Sequence, residues 1–284
     1  MNNRFFSKLA ASNIKKNGKA YIPYILSCVM TVALFYIVKS LSYNPGLKNM
    51  VGSSTMMTMM SMCSVIIALF AIVFLFYTNS FLMKRRKKEF GIFNILGMEK
   101  SHIAKTMAWE NFYVTLISIV GGLVIGIALD KAMFLLIMQV MNEEVSLGFF
   151  ISDKAIISTV VMFCVIFLLI LLNSIRQIHT ANPIELITAG NAGEREPKTK
   201  WILAILGLLS LGAGYYIALT IENPITALVY FFFAVILVII GTYMLFTAGS
   251  IALLKILRKN KKFYYKTKHF TSISGMIYRM KQNA

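Results

Sequence analysis

Acidic residues are scarce in this 284-residue chain: 11 Asp and Glu stand against 29 Lys and Arg, and only 14% of positions are charged. A soluble domain needs a charged surface to meet water, so this composition excludes one. Cysteine and histidine number three each. Cys28, Cys63 and Cys164 each fall inside an apolar run, which argues against disulfides and leaves packing as their role. His102, His179 and His269 have no ligand partner three or four positions away, so no metal site is predicted. The chain has no Gly-x4-Gly-Lys-Ser/Thr loop to hold ATP phosphates and no nucleophile–base pair. Catalytic residues and cofactors are therefore predicted to be none. No predicted span pairs an acid with a base or carries charge near its midplane, which argues against an ion-coupled carrier.

What the chain does have is apolar length. It is 58% hydrophobic, with a mean hydropathy of +0.71, which reads as an integral membrane protein. A span needs about 20 mostly apolar residues. Six stretches qualify: 21–38, 61–83, 107–129, 156–172 (extended by 173–175), 201–221 and 225–254. The predicted fold is all-α: a polytopic membrane protein with six transmembrane helices, amphipathic helices on the inner surface and both termini inside. Residues 131–141, apolar after Asp130, are assigned to a segment lying on the outer leaflet rather than to an extension of the third span.

The charge distribution supports that topology. Residues 1–20 carry five cations and no acid, 84–106 net +5, 173–200 net +1 and 255–284 nine cations and no acid. With six spans all four blocks share one side, and by the positive-inside rule that side is cytoplasmic. A net charge of +18 raises nucleic-acid binding. Cations beside apolar runs instead read as topology determinants facing anionic lipid, and no nucleic-acid partner is predicted. Residues 1–20, with Phe5, Phe6, Leu9, Ala10 and Ile14 near one side, read as an interfacial helix rather than a signal peptide. The basic, aromatic tail 255–284 reads as a second inner-surface helix.

One basic block differs from a loop that only sets topology. The stretch Lys84-Arg85-Arg86-Lys87-Lys88-Glu89-Phe90-Gly91-Ile92-Phe93-Asn94-Ile95-Leu96-Gly97-Met98 follows its cations with an ordered apolar series. Phe90, Phe93 and Leu96 recur every third residue, with Ile92 and Ile95 alongside, which predicts a short amphipathic helix presenting a greasy face. Gly97 would stop it and Ser101 would cap the next helix. Such a face beneath a membrane suits a partner protein or the lipid surface.

Two further patterns stand out. Ser118, Gly122 and Gly126 recur every fourth residue in the third span, which predicts close approach of another helix. Asn182, Pro183 and Glu185 fit the N-cap, first turn and positive end of a short cytoplasmic helix. The polar stretch 191–200 reads as a linker between a unit at 21–190 and a helix pair at 201–254.

The stretch 84–106 resembles the cytoplasmic coupling segment between the second and third helices of FtsX-like ABC permeases, where a basic run, a Glu, an aliphatic-Gly-aliphatic step and a Leu-Gly pair occur in this order. The Asn182-Pro183-Ile184-Glu185-Leu186 close is similar to the end of that family's four-helix unit. The whole order resembles the N-terminal part of bacitracin-type (Bce) permeases. That resemblance implies a non-catalytic permease of the bacterial plasma membrane, involved in sensing and resisting cell-wall-targeting peptide antibiotics. Its implied partners are a cytoplasmic ATPase dimer and a sensor histidine kinase. Lys88, Glu89, Phe90, Gly91, Ile92, Phe93, Leu96 and Gly97 would then contact the ATPase, with Asn182, Pro183 and Glu185 as a secondary contact. Those permeases have a second four-span unit with an extracellular domain. A chain stopping at Ala284 is expected to be a fragment or truncated product leading toward that missing repeat. The alternative is a non-transport scaffold that relays ATPase state to a kinase or extracellular partner, as FtsX itself is thought to do.

Overall fold

The computed structural model describes residues 3–47, 52–140, 150–180, 201–221, 224–259 and Met276. It forms two compact units, Met1–Asn191 and Ala192–Ala284, and every regular element among the described residues is helical.

The first unit contains α1 (Asn3–Lys16), α2 (Gly18–Leu41), a 3-10 turn (Pro45–Leu47), α3 (Ser53–Ile95), α4 (Lys100–Val140) and α5 (Asp153–Thr180). Helix α2 is its axis, packing against α3, α4 and α5. Tyr24, Cys28, Val32 and Phe35 of α2 meet Leu75 of α3, Val114 of α4 and Phe163, Phe167 and Ile170 of α5 in the main core. Side-chain pairs fix the directions. Tyr21 meets Glu110 and Ser40 meets Asp130, so α2 and α4 run parallel. Lys39 reaches Ser64 while Tyr21 meets Arg86, so α3 runs antiparallel to α2. Phe35 meets Phe163 near one end of α2, while Ser174 meets Asn79 beside Tyr21 near the other, so α5 runs antiparallel to α2 and with α3. The result is an up-down-up-down bundle.

Three expectations change here. The third span does not end at Leu129: α4 runs unbroken to Val140, so residues 131–140 prolong it and are not a separate surface segment. Phe134 and Met138 hold that extension by packing with Ile37, Leu41 and Leu47. The basic stretch is not a separate short helix either. It is the last third of α3, whose 43 residues extend about 65 Å at 1.5 Å per residue. The helix stops at the predicted place, with Gly97 at φ +91°, a conformation that glycine adopts without strain. Ser101 lies inside the first turn of α4 and not at its cap: Glu99 O accepts from the backbone N–H of His102 and Ile103.

Helix α1 buries Phe6 and Ala10. It packs along the start of α4, where Phe6 stacks on His102 with centroids 5.6 Å apart and Ser7 hydrogen-bonds Tyr113 (2.7 Å). Much of its apolar face therefore meets protein, while Phe5 is exposed.

The second unit holds α6 (Trp201–Thr220), α7 (Pro224–Met244), a π-helical turn (Leu245–Gly249) and α8 (Ser250–Lys259). Helices α6 and α7 cross at glycines. A Cβ on Gly207 would sit 3.1 Å from Gly241 O, and one on Gly214 would sit 2.9 Å from Ala234 O. These glycines are seven apart, a repeat on one face of α6. The predicted sixth span, 225–254, is divided by the π turn. Among the described residues five helices, α2 to α6, are long and apolar enough to cross a membrane, and α7 contributes the shorter apolar stretch Tyr230–Met244.

Candidate functional site

The basic end of the first unit is built around a buried ion pair. On α3, Ala71, Leu75, Asn79, Leu82, Arg86 and Phe90 form one inward stripe with steps of three and four residues. Arg86 therefore turns into the bundle while its neighbours in the basic run do not share that face. It is 2% exposed. Its guanidinium forks onto the Glu110 carboxylate of α4, with Nη2 donating to Oε1 at 3.0 Å and Nη1 donating to Oε2. Glu110, 3% exposed, also accepts from Asn13 Nδ2 of α1 and from the Tyr21 hydroxyl of α2, each at 3.0 Å. Four helices thus converge on one carboxylate. A buried ion pair is tolerable only when its remaining hydrogen-bonding capacity is met in this way.

The pair is tied directly to the residues that follow it. Arg86 Nε reaches Glu89 Oε2 (3.4 Å), and Asn17 Nδ2 donates to the same oxygen (3.0 Å). The guanidinium also lies over the Phe90 ring, 4.6 Å from its centroid. Phe90 is 1% exposed and packs with Met83, Ile103, Met107 and Ile178. Phe93 is half-buried against the same group, and Gly91 is buried. The outward face of this part of α3 is Ile92, Ile95 and Leu96, which are 44%, 66% and 75% exposed. The three-residue period read from Phe90, Phe93 and Leu96 does not describe a face. At 3.6 residues per turn Phe90 and Leu96 lie about 120° apart around the helix. One looks into the bundle and the other out of it.

Residues 61–183 match the family described as FtsX-like permease C-terminal. The chain carries an FtsX-like permease domain.

Its relatives extend the likeness beyond the matched residues. The uncharacterized ABC transporter permease YvcS of Bacillus subtilis is 34% identical over 279 residues, covering 97% of this chain and 43% of the relative. The bacitracin export permease protein BceB of Bacillus subtilis is 26% identical over 290 residues (98% and 44%). BceB of Halalkalibacterium halodurans is 28% identical over 285 residues (97% and 44%). The chain therefore spans less than half the length of these relatives. It is a multi-pass membrane protein.

In the FtsX-like domain the small-residue stripe lies where α4 meets α2. A Cβ on Gly122 would sit 2.5 Å from Val32 Cβ, and one on Gly126 would sit 2.8 Å from Tyr36 Cδ1. Ser118 is fully buried on the same face. The stripe continues one step further, to Asp130, whose Oδ2 accepts from Ser40 Oγ (3.0 Å) while its Oδ1, also buried, has no partner among the described residues. The facing stripe on α2 is Cys28, Val32, Tyr36 and Ser40, all fully buried.

Asn182, Pro183 and Glu185 lie outside the described residues, as do the linker 191–200 and nearly all of the tail, and the Lys88 side chain is not described. The functional residues that sequence reasoning missed are Arg86, Glu110, Tyr21 and Asn13. An acid–base pair does join two spans, at their basic end. The signal was present: Arg86 continues the inward stripe of α3, and Glu110 is an acid near the start of an apolar run.

Proposed function

We propose that this chain is the membrane permease part of an ABC transporter, coupling a cytoplasmic ATPase to movement of its helices. The observation that carries the reading is the end of α3. An apolar ridge of Ile92, Ile95 and Leu96 projects from the bundle on a helix that is clamped to three others through Arg86 and Glu110. A force applied to the ridge would pass through a continuous helix to α2 and α4, because helices are stiff along their axes and the buried pair resists shear.

Orientation follows from charge: the end bearing residues 84–106 faces the cytoplasm under the positive-inside rule. ATP hydrolysis belongs to the separate partner, a dimer in such transporters, and this chain supplies no catalytic group. Its interfacial cations face anionic lipid. The BceB relatives are named as bacitracin export permeases, which supports a role in handling peptide antibiotics of that kind; the same proposal extends to sensing of and resistance to cell-wall-targeting peptides alongside a sensor histidine kinase. Glu89 is engaged by Arg86 and Asn17, so it organises the ridge from within and is less suited to reach a partner's cation.

The test is co-purification with a co-expressed ABC ATPase from the same organism. Ile95→Asp with Leu96→Asp places charge on the exposed ridge and leaves the core untouched. The complex should be lost while the membrane protein remains monodisperse in detergent. Retention of the ATPase at the wild-type ratio would end this reading of the ridge.

A further inference from the structure

The first unit holds a partly open cavity of about 30 Å³, with the Arg86–Glu110 pair in its wall. All four long helices of the unit line it, and each contributes a polar group: Tyr24 from α2, Asn79 and Arg86 from α3, Glu110 and Asn111 from α4, and Ser174 from α5. Polar side chains are costly inside a membrane protein unless their hydrogen bonds are met. Some are: Asn79 Nδ2 donates to Ser174 Oγ (2.9 Å), and Asn111 Nδ2 donates to Phe167 O (3.3 Å). The Tyr24 hydroxyl is not met. It is buried with no hydrogen-bond partner among the described residues, on the wall of this space.

A dry apolar void and a polar void with an unmet hydroxyl behave differently. The first stays empty; the second takes water when it is large enough and offers two or more partners. About 30 Å³ of water-accessible space exceeds the ~10–15 Å³ that one water needs, and the side chains around it supply the polar partners. We propose that this cavity is a resident-water site, in which water joins the Tyr24 hydroxyl to the polar side chains around the ion pair. The assignment is independent of what docks on the ridge. The water meets the hydrogen-bonding capacity that the protein leaves open beside the pair, so the clasp holds without a stranded polar group.

Radiolytic hydroxyl-radical footprinting of the full chain in lipid nanodiscs tests it, since radicals formed from a bound water mark the side chains next to it. Met83 and Met107 line the cavity. Met138 is equally buried but sits among Leu41, Leu47 and Phe134. Met83 and Met107 should oxidise faster than Met138 by an order of magnitude or more. Equal, slow rates at all three would overturn the proposal, and this comparison needs no variant. Asn79→Leu with Ser174→Val replaces a hydrogen-bonded pair by apolar groups that fill the space, an exchange that is often tolerated. In that variant the Met83 and Met107 rates should fall to that of Met138. If they stay high in a folded, monodisperse variant, the radicals come from bulk solvent and the site is not one for resident water.

Discussion

The two ends of the α2–α4 pair carry the same kind of group and treat it differently. At the basic end Glu110 receives Arg86 through two nitrogens, then Tyr21 and Asn13. At the other end Asp130 receives Ser40 on one oxygen, and the second oxygen is unmet among the described residues. Between them runs a seam with almost no side-chain volume on α4, at Ser118, Gly122 and Gly126. The contrast separates a fixed end from a lightly tied one. Four helices are locked together beside the exposed ridge, whereas two helices share a single hydrogen bond at the far end. A displacement entering at the ridge would be transmitted whole at the first end and could be absorbed at the second.

The largest effect should come from unbalancing the fixed end. Arg86→Ala or Glu110→Ala strands a buried charge and should cost about 3–5 kcal/mol. In a thermal melt of the detergent-solubilised protein, either variant should lose its folded peak at temperatures the parent survives. Arg86→Met combined with Glu110→Leu removes both charges and should be less damaging than either single change, because much of the cost lies in the unpaired partner. If the double variant melts lower than both singles, the pair contributes more than charge balance.

A middle-sized effect should come from the seam. Gly122→Ala places a carbon 2.5 Å from Val32 Cβ and 2.9 Å from Val29 O, so the helices must separate. Overpacking of this kind costs about 1–3 kcal/mol. Gly121→Ala is its control: the nearest atom is 3.4 Å away on a Val29 methyl. The same melt should place Gly121→Ala close to the parent. Equal losses at both positions would mean that glycine serves these sites through backbone freedom and not through close approach.

An effect no larger belongs to the lightly tied end. Ser40→Ala removes the donor to Asp130 and should cost about 1–3 kcal/mol, the cost of leaving a buried acceptor unmet, and less than stranding Glu110. A loss as large as that of Glu110→Ala would erase the distinction between the two ends.

Much of this was legible in the chain. The helical class followed from hydropathy, and the seam was half-read from Ser118, Gly122 and Gly126. Its partner stripe, Cys28, Val32, Tyr36 and Ser40, was hidden because nothing in α2 but its four-residue step distinguishes those positions from other apolar ones. Arg86 was concealed by its company. In a run of five cations each reads as solvated, and only the phase of α3, carried unbroken from Ala71, turns one of them inward. The same continuity explains Phe90. Assigning a new helix after the cations resets the phase and sends that ring outward. The π turn at Leu245–Gly249 was missed because hydropathy alone reads residues 225–254 as one span, although Thr247, Gly249 and Ser250 interrupt the apolar run there.

The two clasps have one more consequence. On α4, Glu110 and Asp130 are separated by twenty positions, and on α2, Tyr21 and Ser40 by nineteen; at 1.5 Å per residue both spacings come to ~30 Å. That is the typical depth of a bilayer's hydrocarbon layer. The helix pair is thus a caliper whose jaws are polar and whose shaft is greasy. In a much thicker bilayer one jaw would be drawn among acyl chains, so membrane thickness itself becomes a load on the joint.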